Sequence, residues 1–208
     1  PAPTQGRTRR GGFGGVAGMR AFLAAEQIAA VIDATHPFAA RISANAARAC
    51  TTASIPRIAL LRPPWMSVPG DNWHRVTDEH QAAQALPRNA RAFLALGRQH
   101  IDAFASRSDV WFLIRVVDQP ERSLLPGPHS VIAGRGPFTQ DGELDLLNTH
   151  AITHIVARNS GGSGASAKIA AARERGLPVI MIDRPVPPPP PIVDDVAAAL
   201  EWLAEIIG

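Results

Sequence analysis

The feature that most constrains this chain is an alternation. Short runs rich in Val, Ile and Leu recur, and each is followed within a few residues by a stretch of helical character. From residue 131 onward the pattern is regular. It predicts strand Val131–Gly134, helix Thr139–His150, strand His154–Ala157, helix Ser166–Gly176, strand Val179–Ile182 and helix Val193–Ile207. Strand–helix–strand alternation is the signature of a parallel sheet with helices on both faces.

Upstream the same reading predicts helix Val16–Glu26, strand Val31–Ala34, a helix ending near Cys50 and strand Ile55–Arg62. Further strands follow at Asp71–Val76, Arg91–Leu96 and Trp111–Val117, with a capped helix from Thr77 to Leu86 and a short one opening at Gly97. Asp118–Pro128 is rich in proline and polar residues and predicts a domain boundary. The fold class expected is therefore α/β, with two Rossmann-like parallel-sheet halves, residues 1–120 and 121–208, and a ligand cleft between them. Pro187–Pro191 reads as a stiff connector.

The most informative junction is Val31–Asn45. A buried strand breaks at Thr35-His36, and Pro37 suits the first turn of a helix, where its missing N–H costs nothing. Phe38, Ile42 and Ala46 then form one apolar stripe. Ligands of open parallel sheets bind above the carboxyl ends of strands, beside helix N-termini. Asp33, Thr35 and His36 stand at that place, with Ser43 and Asn45 one to two turns on. A lone histidine there is most often a cap or packing residue. The alternatives are orienting a cofactor, or donating a proton. No second ligand stands at metal-binding spacing, so no metal site is expected.

Three further strand ends carry polar clusters: Gly97-Arg98, Arg135-Gly136, and Arg158-Asn159-Ser160-Gly161-Gly162, the last followed by Lys168. A Gly/Ser-rich strand-to-helix loop with a nearby lysine resembles an anion cradle, without the ending of a P-loop. Arg115, inside an apolar strand, needs a carboxylate such as Asp118, or a ligand. Gly11, Gly12, Gly14 and Gly15 form a turn before a helix, a weak signal alone.

The arginine bias has two compatible readings, the codon usage of a GC-rich genome and recognition of carboxylates or phosphates. The net charge is +3, and Lys168 is the only lysine among 21 basic residues. Arginine grips carboxylates and phosphates with paired hydrogen bonds. The arginines are scattered, tyrosine is absent and no nucleic-acid motif occurs, so nucleic acid is not an expected partner. No apolar run reaches membrane-spanning length, and no leader pattern opens the chain. A cytoplasmic, monomeric enzyme is expected. The single cysteine, Cys50, forms no internal disulfide and reads as a packing residue.

Several blocks occur together and in order: Gly11–Gly15, Asp33–Ala39 with Ile42–Ala46, Gly97–Gln99, Trp111–Val117, Ala133–Phe138 and Arg158–Gly162. In this combination the chain resembles the precorrin-6A reductases of cobalamin biosynthesis. The resemblance implies an oxidoreductase acting on a CH-CH group, moving hydride from NADPH to precorrin-6A to give precorrin-6B. It implies His36 as the catalytic candidate. It implies cofactor contacts from Gly11, Gly12, Gly14, Gly15, Thr35, His36, Pro37, Ser43 and Asn45. The carboxylated tetrapyrrole would then meet Gly97, Arg98, Arg135, Gly136, Arg158, Asn159, Ser160, Gly161, Gly162 and Lys168. Relatives open with a strand, a glycine–threonine turn, a helix and a second strand, and the chain is expected to start after these. The cobalt-containing substrate of the anaerobic pathway and a non-catalytic tetrapyrrole- or nucleotide-binding role stay open as alternatives.

Overall fold

A computed structural model of the chain describes residues 6–208. The exposed loop expected at the N-terminus therefore lies partly outside the described residues. In chain order the elements begin with α1 (Gly15–Ala25), β1 (Val31–Asp33), α2 (Ala40–Ala53), β2 (Arg57–Leu60) and β3 (Trp73–Val76). Next come α3 (Glu79–Ala85), β4 (Arg91–Ala95), β5 (Trp111–Val116), β6 (His129–Ala133) and α4 (Gln140–Thr149). The chain closes with β7 (His154–Arg158), α5 (Ala167–Glu174), β8 (Val179–Ile182), β9 (Ile192–Val193) and α6 (Val196–Ile207).

These elements form two units. The first takes the chain through Arg62 and then Val186–Gly208; the second is Pro63–Pro185. The first holds a three-stranded parallel sheet in the order β1-β2-β9. Helix α1 buries Met19 and Leu23, and α2 buries Ala46, Ala49 and Cys50, with Val16, Ile42 and Ile55 packed around them. Alanines at the contact let the two helices approach closely, and Cys50 is the packing residue expected of it.

The second unit holds six parallel strands in the order β3-β8-β7-β4-β5-β6. Strands β8, β7, β4 and β5 are buried along most of their length. Covered on both faces, they read as continuous apolar runs. Phe93, Leu113, Ile155 and Met181 meet Leu147 of α4 and Ile169 of α5 in the core. Side-chain caps start α3, α4 and α6: Asp78 accepts from the Gln81 N–H, Thr139 from Gly142 and Asp195 from Ala198.

Three expectations need correction. The segment Asp118–Pro128 is no boundary, because β5 and β6 on either side of it pair in parallel within one sheet. Composition marks a loop; it carries nothing about whether the flanking strands pair. Nor does residue 121 begin a separate half, since β7 joins β4, β8 joins β3, and β9 with α6 belongs to the first unit. Finally, Pro37 does not open α2. Pro37 and Phe38 form a turn, and the helix starts at Ala40. Among the described residues no helix is long and apolar enough to cross a membrane.

Candidate active site

The first unit presents a cavity of about 410 Å³ at the carboxyl ends of its strands. Thr35, His36 and Pro37 line it after β1, Arg62 after β2, and Asp194 after β9. The turn beneath it is held tightly. Both the Thr35 backbone N–H, at 3.2 Å, and its hydroxyl, at 2.8 Å, donate to Asp33 Oδ1. With that one proton committed, the 2.7 Å contact to Ser43 must be Ser43 donating to Thr35 Oγ1. The other oxygen of Asp33 faces Arg57 Nη1 at 3.8 Å, with both side chains buried. Arg57 Nη2 in turn donates to the Pro189 carbonyl at 2.6 Å. So Asp33, Ser43 and Arg57 brace Thr35 from below.

His36 is exposed, and its Nδ1 accepts the Phe38 N–H at 3.2 Å. Ser43 is buried and reaches the site through Thr35. Asn45 and the four glycines Gly11, Gly12, Gly14 and Gly15 are not on the walls of this cavity. The glycines instead form the entry to α1, with Gly14 at its N-cap in the left-handed conformation, φ 78°.

The second unit presents a larger cavity of about 640 Å³, above the carboxyl ends of β4, β5 and β6. Of the residues expected to meet a carboxylated ligand, Gly97, Arg98, Arg135, Gly136 and Lys168 line it. Arg135 donates to Asp118 Oδ1 at 3.1 Å in an exposed pair, an arrangement that a competing anion displaces at little cost. Lys168 is buried, and its Nζ donates to the Ala165 carbonyl at 2.6 Å. Burial lowers its pKa to about 8; the Glu143 charge opposes that shift and the Arg115 charge adds to it.

The loop Arg158–Gly162 is used differently from expectation. The Asn159 amide accepts from the Trp65 N–H at 2.8 Å and donates to the Trp65 carbonyl at 3.0 Å. The Trp65 indole donates to the Gly162 carbonyl at 2.7 Å. Arg184 donates to the Asn159 and Ser160 carbonyls at 2.8 and 2.9 Å. At Gly161 a Cβ would stand 2.0 Å from the Pro63 carbonyl oxygen. These four residues are not on the cavity walls; they pin the Pro63–Trp65 segment.

Arg158 is also off those walls. It donates to His100 Nε2 at 2.7 Å, and His100 Nδ1 meets Glu79 Oε1 at 2.8 Å. Arginine has no acceptor, so Nε2 must accept and the imidazole proton sits on Nδ1, facing Glu79. Burial first, then the Arg158 charge, lowers the His100 pKa, against the pull of Glu79.

Sequence reasoning left the partner of Arg115 open and missed Glu143. Arg115 bonds both Glu143 oxygens, at 2.6 and 3.0 Å, and its guanidinium carbon lies 3.9 Å from the Phe138 ring centroid. A charged residue within an apolar strand signalled Arg115; nothing local distinguishes Glu143 from other glutamates on helices.

Residues 1–204 match the family model described as precorrin-6x reductase CbiJ/CobK. A precorrin-6A reductase of Rhodobacter capsulatus is 50% identical over 95% of this chain and 79% of its own length. One from Mycobacterium tuberculosis is 44% identical over 98% of this chain and 83% of its own. A cobalt-precorrin-6A reductase of Priestia megaterium is 32% identical over 80% of this chain and 69% of its own. A solved structure of CobK precorrin-6A reductase superposes with a TM-score of 0.93 at 47% identity, covering 96% of this chain and 82% of that one.

Proposed function

The chain belongs to the precorrin-6x reductase CbiJ/CobK family, and we propose that it reduces precorrin-6A to precorrin-6B with hydride from NADPH. The observation that carries this reading is the large cavity of the second unit. Arg115 is neutralised by Glu143, leaving Arg98, Arg135 and Lys168 against Asp118. That surplus of donors suits a ligand bearing several carboxylates. The 44–50% identities to precorrin-6A reductases, against 32% to a cobalt-precorrin-6A reductase, favour the metal-free substrate.

The nucleotide is assigned to the first unit. Its cavity suits the ribose and nicotinamide end: Asp194, at the carboxyl end of β9, offers a carboxylate acceptor for sugar hydroxyls. Bound NADPH supplies the hydride. The chain supplies placement, which governs the rate steeply, and the braced Thr35 turn is the rigid part of that placement. His36 is assigned to contact the nicotinamide or its ribose.

The 2′-phosphate is assigned to arginines ahead of α1. Arg7 pairs with Glu26, and Arg9 donates to the Gly12 carbonyl at 2.8 Å and lies over Phe13 and Phe22. That leaves exposed Arg10 as the principal phosphate contact. The test is steady-state kinetics of the purified protein with precorrin-6A. NADPH consumption with formation of precorrin-6B is expected, together with a higher kcat/KM than with NADH. Equal efficiency with both nucleotides rejects the phosphate assignment. Better turnover of the cobalt-containing substrate rejects the substrate assignment. A cytoplasmic monomer is the form we assign to it, tested by sedimentation.

A further inference from the structure

The reduction needs two deliveries. A hydride goes to one carbon of the macrocycle, and a proton must reach its neighbour. NADPH provides only the first, so the proton comes from water or from an acidic side chain on the wall of the substrate cavity.

The titratable groups on that cavity's walls can be taken in turn. Arg98, Arg115 and Arg135 stay protonated throughout the working range and give up no proton. Glu143, with 1% of its side chain exposed, has both oxygens engaged by the two terminal nitrogens of Arg115. Asp118 is 80% exposed and paired with Arg135. Lys168 is different. It comes from the first turn of α5, is buried, and lines the cavity. Its ammonium makes one hydrogen bond, to the Ala165 carbonyl, and stands 5.2 Å from the Trp65 ring centroid. Among the described residues no carboxylate lies within ion-pairing distance of it.

A buried ammonium without a counter-ion costs stability and is retained where it serves chemistry. Resting on the reductase reading above, the geometry points to Lys168 as the catalytic acid of the reaction. The nicotinamide C–H bond breaks and its two electrons with the hydrogen go to one ring carbon. The neighbouring carbon forms its new C–H bond with a proton from Lys168 Nζ. The nicotinamide is oxidised, the macrocycle is reduced by two electrons, and Lys168 is left as a neutral amine that water reprotonates through the open cavity. A pKa near 8 serves this role, since the ammonium is both populated and willing to give its proton at neutral pH. Glu143 from α4 and Arg115 from β5 act on it with opposite charges, Glu143 raising its pKa and Arg115 lowering it, both less than burial does.

The rival role for this lysine is a simple anchor for a substrate carboxylate, and the test separates the two. Wild type, Lys168→Arg and Lys168→Met are assayed for kcat, KM and pH dependence with precorrin-6A and NADPH, with folding checked by thermal melts. Arginine keeps the charge but cannot deliver the proton. The expected result is a kcat for Lys168→Arg lower by about a hundredfold or more, with KM near wild type. The fall of wild-type kcat above about pH 8 should vanish in both variants, and added methylamine should restore part of the rate to Lys168→Met. A Lys168→Arg enzyme with wild-type kcat, or variants changed only in KM, overturns the acid role and leaves the reductase reading intact. Wild-type enzyme that consumes no NADPH with precorrin-6A overturns that reading and this role together.

Discussion

Arg115 closes a two-pronged ion pair on Glu143, at 2.6 and 3.0 Å, with Phe138 stacked against the guanidinium. It ties β5 to the first turn of α4, and both side chains line the larger cavity.

Removing one partner from this pair should be worse than removing both. Glu143→Gln or Arg115→Met each leaves a buried charge alone and should cost about 3–5 kcal/mol of unfolding free energy. The double variant, with no charge stranded, should recover a large part of that loss. Urea denaturation of the three variants checks this, and additive losses would show the pair to be uncoupled.

Lys168 should make the protein less stable at neutral pH than it is in alkali. Its folded pKa, about 8, lies below its unfolded value, so the unfolded chain binds the proton more tightly. Stability should therefore rise as pH increases from about 8 toward 10.5, the unfolded value. Lys168→Met should lose this rise and gain on the order of 3 kcal/mol at pH 7. Melting temperature against pH reads the difference directly.

His100 should make stability fall in acid. Its pKa is depressed, so the contribution is complete above pH 6.5 and is lost as pH falls through the folded value. Protonating Nε2 would set it against Arg158, which bonds that nitrogen at 2.7 Å. His100→Gln should flatten this acid limb of the melting curve. An unchanged limb assigns it to other groups.

His36→Ala should lower kcat/KM at least about tenfold, a loss of roughly 1.4 kcal/mol of transition-state stabilisation. Because His36 is exposed and not among the groups bracing Thr35, the melting temperature should hold. Full activity would return His36 to the role of a turn residue that accepts the Phe38 N–H.

Gly161→Ala should destabilise without touching the cavity walls. The backbone there has φ +67°, and the added carbon would meet the Pro63 carbonyl at 2.0 Å. The Pro63–Trp65 segment would have to move, carrying the Trp65 ring away from Lys168. Differential scanning calorimetry with a Trp fluorescence melt tests this, and an unchanged melt would remove the packing role of the loop.

Local order was legible in the residues. The helices, strands and caps could be placed because apolar periodicity and turn chemistry are properties of neighbours in the chain. The ordered blocks around Asp33–Ala39 and Ala133–Phe138 carried the family, and the loops and helix start after strand ends gave half of the charged cavity lining, Arg98, Arg135 and Lys168. Pro37 misled because a proline preceding a helix fits a turn ahead of the first helical residue as well as the first position itself.

What the amino acids determined by themselves was therefore an α/β chain with parallel strands and a basic, carboxylate-seeking chemistry. Tertiary structure alone decided which strands became neighbours. Trp73 pairs with Val179, and Ala59 with Ile192, associations across more than a hundred residues for which no local pattern exists. The same holds for the partner of Arg115, for the Trp65 brace on Asn159 and for the turn that Asp33, Arg57 and Ser43 hold under Thr35. Each depends on backbone paths brought together by burial of distant apolar faces, and burial is non-directional: it selects compactness, while the paired polar groups select one register within it.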